Sequence, residues 1–177
     1  QFFVDPGRRL YINRIQFSGN EKTRDEVLRR EMRQLEGALF SADKIERSRT
    51  RLNRLGYFQD VTVETPPVPG EPDLVDVNYS VVERPSGSLM AGAGFSQSQG
   101  IILNASLSQD NFMGTGKRVS VSFNNSDVNT LYSLTYSNPY YTMDGISRSF
   151  RLYYRETDAE EANIAIYTAD SAGGSVT

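Results

Sequence analysis

The side chains that most often carry catalysis are absent from this sequence or scattered through it. Its 177 residues include no histidine and no cysteine. That removes the commonest general base, the Ser-His arrangement, the usual zinc ligands and thiolate chemistry. Serine, aspartate and glutamate are plentiful, yet none falls in a spacing that pairs a nucleophile with a base. No catalytic residue, no metal-ligand set and no cofactor is therefore predicted, and the prior moves away from an enzyme. What remains is main-chain chemistry, concentrated in Ser86 to Gln97, SGSLMAGAGFSQ. Leu89, Ala91, Ala93 and Phe95 alternate there with Ser88, Gly92, Gly94 and Ser96, the period of two of a strand. Glycine packs nothing and loses the most backbone freedom, so this strand is expected to be weakly held or closely approached by another backbone.

The elements on either side differ in character. Up to Ser86 the chain holds 14 Lys and Arg against 14 Asp and Glu; beyond it, 5 against 8. So small and well matched a basic total argues against nucleic acid as a partner. The start at Gln1, without a signal peptide, is expected of a processed or truncated piece or of a cytoplasmic protein.

In the first half, Arg8 to Ser18 carries the apolar pattern of a strand, with a slip in phase near Asn13 that predicts a bulge or bend. Thr23 and Glu26 fit a capping box, and Val27, Leu28, Glu31, Met32 and Leu35 then predict a helix from about Arg24 to Leu35, stopped by Gly37. Ser41 or Asp43 starts a second helix with Ile45, Leu52 and Leu55 on one face and Gly56 as its stop. Its Arg47, Arg49, Arg51 and Arg54 read either as a solvated face paired with neighbouring Glu or as a docking face for an acidic partner. Phe58 to Glu64 and Leu74 to Glu83 follow as strands, joined by a Pro-rich loop. The order strand, helix, helix, strand, strand predicts an α+β domain, with both helices on one face of a three-stranded sheet and at least one edge open.

In the second half alternation repeats at Ile101–Leu107, Val119–Phe123, Tyr132–Tyr136 and Phe150–Tyr154, with one greasy face and one hydroxylated face. A soluble sandwich and a membrane barrel share that pattern. Two features favour the barrel. DNFMGTG and NPYYTMDG carry aromatics beside their turns, as a membrane interface does, whereas SQSQ, NNSD and ETDAEEAN have polar or acidic tips. No apolar run approaches the roughly 20 residues of a spanning helix, but a barrel strand needs only about 9 to 11. At most six strands are begun, too few to close a barrel, so the segment is read as part of something larger.

The segments VLRREMRQLEG (Val27 to Gly37), RLNRLGYF (Arg51 to Phe58), VPGEPDLVDVNYSVVER (Val68 to Arg84), QDNFMGTG (Gln109 to Gly116) and SNPYYTMDGIS (Ser137 to Ser147) closely resemble the BamA family of outer-membrane protein assembly factors of Gram-negative bacteria. The resemblance runs through nearly the whole chain. It implies a periplasmic POTRA domain, the fifth and membrane-proximal one, over residues 1–85. Residues 86–177 would then be the first five antiparallel strands and the start of the sixth in an outer-membrane β-barrel of about 16 strands. The family folds and inserts other outer-membrane proteins without nucleotide or cofactor. By resemblance the first barrel strand, Gly87 to Gln97, pairs weakly with the last and leaves a lateral gate. Its edge, from Gly87, Ser88, Leu89, Met90 and Ala91 through Gly92, Ala93, Gly94 and Phe95, would template an incoming strand. Arg29 and Glu36 are the positions implied for docking a periplasmic lipoprotein subunit. The implied partners are nascent outer-membrane β-barrel proteins, the lipoprotein subunits of the assembly complex and outer-membrane lipid. The alternatives are a two-partner-secretion-type transporter that exports a client through the lumen, and a soluble adaptor whose sheet edge binds peptides.

Overall fold

The computed structural model describes residues 8–142, 144–158 and 168–177. The chain divides into two compact units, Gln1–Pro85 and Ser86–Thr177.

The first unit contains strand β1 (Tyr11–Ser18), helices α1 (Asp25–Arg29) and α2 (Ala42–Arg54), and strands β2 (Phe58–Glu64) and β3 (Leu74–Glu83). The sheet order is β1-β3-β2, with β1 parallel to β3 and β2 antiparallel to it. Alternation along β3 sends Val75, Val77, Tyr79 and Val81 into the core, where they meet Ile12, Ile15, Leu28, Ile45, Leu52, Phe58 and Val61. Tyr79 is fully buried, stacks on Phe17 at 5.7 Å between centroids and donates from its hydroxyl to the Ile45 carbonyl at 3.3 Å. Burial pushes its phenol up. The phase slip in β1 is a register shift between Ile12 and Ile15.

The second helix starts as expected, with the Ser41 hydroxyl accepting from the Lys44 amide at 3.4 Å, and Gly56 follows it at φ +75°. Three of its arginines pair with carboxylates. Arg47 meets Asp43 at 2.9 Å, Arg49 meets Glu46 at 2.9 Å, and Arg51 meets the buried Glu31 at 2.6 Å.

The first helix is shorter than predicted and its capping box is not formed. Arg24 is the N-cap and gives no side-chain cap, while the amides of Lys22 and Thr23 donate instead to Glu83, at 3.0 and 2.7 Å. After Arg29 the chain tightens into i to i+3 bonds, Glu31 to Leu28 and Met32 to Arg29. It then leaves the helical path, because Ser48 of α2 takes the Arg33 amide at 2.8 Å and the buried Gln34 caps the carbonyls of Leu35 and Leu39. Freed from the helix, residues 37–40 bond along the outer edge of β1: Gly37 N–H to Ile12 O, Ile12 N–H to Ala38 O, and Phe40 N–H to Leu10 O. One expected open edge is thus partly covered. The outer edge of β2 remains the end of this sheet.

The second unit is an antiparallel meander of β4 (Gly87–Ser96), β5 (Gly100–Gln109), β6 (Arg118–Asn125), β7 (Asn129–Asn138), β8 (Arg148–Asp158) and β9 (Thr168–Val176). The first barrel strand therefore ends at Ser96, with Gln97 in the turn. The polar ETDAEEAN segment is strand up to Asp158, and its remainder lies outside the described residues. Register keeps the two faces separate across all six strands. Leu89, Leu107, Val121, Leu134 and Leu152 line up on the apolar face, as do Ala105, Phe123, Tyr132 and Tyr154. On the other face serines pair across strands, Ser122 with Ser133 at 3.1 Å and Ser149 with Ser137 at 2.8 Å.

Two stability predictions follow for the first unit. Breaking the buried Glu31–Arg51 pair with Glu31→Ala should cost about 3 kcal/mol, read from denaturant unfolding, because the change leaves polar groups uncompensated. For Glu83, burial acts to raise the carboxyl but is outweighed by hydrogen bonds from Thr23 and Lys22 and by the Lys22 charge, so the net shift is downward. A carboxyl lowered on folding adds stability above its unfolded value of about 4.3, and that stability is lost as pH falls through the folded value. Glu83→Gln should therefore lower the melting temperature at pH 7 and flatten its decline below about pH 4.5.

Candidate functional site

Strand β4 is laid against β5 in unbroken register from Gly87↔Gln109 to Ser96↔Gly100. Leu89, Ala91, Ala93 and Phe95 stand on the apolar face; Ser88, Met90, Gly92 and Gly94 stand on the other. Leu89 and Phe95 are each 75% exposed. Among the described residues β4 is an end of the six-stranded sheet.

The glycines of β4 differ in what surrounds them. A Cβ on Gly92 would sit 2.8 Å from Oδ1 of Asn104, its cross-strand partner, whereas a Cβ on Gly94 would meet nothing within 4 Å. At Gly92 the close approach among the described residues is made by a side chain of β5. At Gly87 the neighbour is Gln109, whose amide nitrogen donates to Ser86 Oγ at 2.9 Å and to the Asp110 carbonyl at 3.0 Å. Ser86 Oγ in turn donates to that same carbonyl at 2.7 Å, and the Asp110 amide donates to the Ser86 carbonyl at 2.9 Å. The entry to β4 is therefore fixed by side-chain bonds as well as by the strand ladder.

Arg29 and Glu36 are brought together, 3.2 Å apart, and both reach the same residue of β1. Glu36 Oε1 accepts from the Ile15 amide at 2.8 Å, and Arg29 donates to the Ile15 carbonyl at 3.2 Å. Arg29 also bonds Asp25 at 3.3 Å and lies 5.4 Å from the centre of the Phe17 ring. The Ile15 amide is the main cause of the lowered Glu36 carboxyl; burial opposes it, and the Arg29 hydrogen bond and charge add to it. The pair thus clamps the shifted edge of β1 while leaving about half of each side chain open to solvent. Sequence reasoning missed Ile15 as the third member, although the phase slip near Asn13 marked the stretch of β1 whose backbone needs outside partners.

The hydroxylated face of the meander carries a shallow concavity lined by Ser133, Arg151, Tyr153, Arg155, Ser171 and Ser175. Among the described residues no group of three or more Asp, Glu, His or Cys is placed to hold a metal ion. No helix among them is long and apolar enough to cross a membrane.

An α+β unit of this topology leading into a meander with one greasy and one hydroxylated face defines the class: a POTRA domain followed by strands of a transmembrane β-barrel. Comparison with known proteins agrees. Residues 10–84 match the POTRA family model, described as surface antigen variable number repeat, and residues 111–177 match the Omp85 superfamily domain. The outer membrane protein assembly factor BamA of Neisseria meningitidis serogroup B (strain ATCC BAA-335 / MC58) is 41% identical over 175 residues, 98% of this chain and 22% of the relative. The crystal structure of BamA from Haemophilus ducreyi lacking POTRA domains 1-3 superposes with a TM-score of 0.88 at 36% identity, covering 97% of this chain and 32% of that one. CdiB from Escherichia coli, with a TM-score of 0.58 at 17% identity over 93% of this chain and 31% of its own, shares the fold alone. The chain belongs to the BamA family of the Omp85 superfamily. Its strands accordingly lie in the outer membrane and its POTRA domain in the periplasm. The chain spans less than a third of the length of either BamA relative.

The Gly92 and Gly94 environments make opposite predictions. In the full-length barrel, Gly92→Val should displace Asn104 and loosen β4 from β5 by about 1–3 kcal/mol, the usual cost of overpacking. Gly94→Val should leave the pairing as it is. Hydrogen exchange of the β4 amides measures both.

Proposed function

We propose that this chain is the gate-bearing part of an outer-membrane assembly factor that folds and inserts β-barrel proteins by strand templating, without enzymatic chemistry or cofactor. The observation that carries this reading is the state of β4. It is apolar on its membrane face and carries glycine at 87, 92 and 94, with open space beside Gly94, a make-up that holds a neighbouring strand weakly. Backbone groups left unpaired in hydrocarbon cost several kcal/mol each, so a nascent outer-membrane strand that satisfies them is captured through its main chain whatever its side chains. Gly87, Ser88, Leu89, Met90, Ala91, Gly92, Ala93, Gly94 and Phe95 form that edge. The BamA relatives, described as outer membrane protein assembly factors, support the reading.

Site-specific disulfide crosslinking in the full-length protein during substrate assembly tests it. Cysteine at Leu89, Ala91 or Phe95 should capture the substrate strand in register. Capture mainly from Ser120, Ser133 or Arg151 on the hydroxylated face would instead favour export of a client through the lumen, and capture from neither set would overturn both.

The POTRA domain is proposed to dock a periplasmic lipoprotein subunit through Arg29 and Glu36. Because the two side chains also clamp Ile15, the charge and the shape must be separated. Glu36→Gln keeps an acceptor for the Ile15 amide and removes the charge; Glu36→Ala removes both. If the charge docks the partner, Glu36→Gln should weaken co-purification of the lipoprotein with the melting temperature little changed. If Glu36→Gln binds as the wild type does and only Glu36→Ala loses binding, the residue acts through the shape of the β1 edge alone.

A further inference from the structure

The rim of the meander nearest the POTRA domain along the chain holds a cation that the templating reading does not use. Register places the start of β4, the end of β5, the start of β6, the end of β7 and the start of β8 at one end of the sheet. The chain enters β4 at that end from the periplasmic domain, so this is the periplasmic rim. Arg148 is the first residue of β8, opposite Asn138, and shares the apolar face with Tyr136 and Phe150, which pair across the strands.

Its guanidinium carbon lies 3.6 Å from the centre of the Tyr141 ring and 4.7 Å from that of Phe150, and Tyr136 continues the row 6.3 Å beyond Phe150. Two ring faces hold the charge in place. They give it no acceptor in the plane of its fork. Nε is buried without a hydrogen-bond partner, and among the described residues no carboxylate pairs with this side chain. The contrast is Arg118, at the same rim on the hydroxylated face, which is paired with Asp110. Beside the cation, the Tyr141 amide bonds the Ile146 carbonyl at 2.8 Å, which sets two exposed side chains, Tyr141 and Ile146, next to each other on the turn.

A planar cation on the lipid side of a strand, level with the aromatic residues of a membrane–water boundary, faces one abundant anion, the lipid phosphate. Its N–H groups match the geometry of phosphate oxygens. We propose that Arg148 is the phosphate-binding residue of a phospholipid headgroup site on the periplasmic rim, with Tyr141 and Phe150 holding the guanidinium in place and Ile146 meeting the first methylenes of the acyl chains. The site rests on the chain's place in an outer-membrane barrel and is independent of the templating reading.

Native mass spectrometry of the full-length protein in detergent, titrated with dioleoyl phosphatidylglycerol, tests the site, with heat-modifiable gel migration reporting that each variant is folded. Arg148→Gln should weaken lipid retention roughly tenfold, about 1.4 kcal/mol. Arg148→Lys, which keeps the charge and loses the fork, should fall between it and the wild type, and Arg118→Gln should retain lipid as the wild type does. Dioleoylglycerol, which has the same chains and no phosphate, should be retained far less by the wild type. Retention unchanged in Arg148→Gln, equal retention of the two lipids, or equal loss in Arg118→Gln would overturn the proposal. Should Arg148→Gln fail to fold, a photoreactive phenylalanine at Ile146 in phosphatidylglycerol vesicles decides the matter. Crosslinking to lipid supports the site, and its absence overturns it.

Discussion

A strand surrounded by hydrocarbon has no water to bond its amides and carbonyls, so its neighbours must supply every partner. The meander from β4 to β9 meets this demand by continuous antiparallel register, and almost everything else about it follows. Because the register is unbroken from β4 to β5 and from β7 to β8, Leu89 meets Leu107, Phe95 meets Ile101 and Leu134 meets Leu152 on one face, while Ser88 meets Ser108 and Ser137 meets Ser149 on the other. A slip of one residue would turn a whole strand inside out. The ladder therefore fixes which face is wet and which is greasy.

The periplasmic domain obeys a different constraint. Water is available at its edges, so its specificity lies in which polar groups are withdrawn from water and by what. Glu83 gathers the amides of Lys22 and Thr23, Ser48 gathers that of Arg33, and Glu36 gathers that of Ile15. Each fixes a point where the chain departs from regular structure. Arg29 and Glu36 belong to this set before they belong to any interface. Effects of their substitution on partner binding are to be apportioned between charge and backbone shape.

Periodicity made the strands legible. β2 and β3 are bounded where their alternation begins and ends, and the faces of β5 to β8 could be assigned from the spacing of single residues such as Leu107 and Tyr132. The end of α1 was not legible, because Met32 and Leu35 keep helical spacing while contacts from Ser48 and Gln34, set by the tertiary fold, pull the backbone away. The glycines of β4 were readable as a weakness, but the difference between Gly92 and Gly94 depends on Asn104 twelve residues beyond Gly92. Arg29 and Glu36 were singled out by family resemblance as docking positions, and nothing in a spacing of seven residues predicts that they pair or share a grip on Ile15. Arg148 gave no signal at all, because its meaning lies in two rings, one from the preceding turn and one on its own strand.

The serine ladder of the inward face bears on how a moving polypeptide would experience this wall. Ser122, Ser133, Ser137 and Ser149 already bond one another, so the wall offers an unfolded segment little beyond what water offers it. Such a surface is non-stick. A chain sliding over these serines would meet few traps.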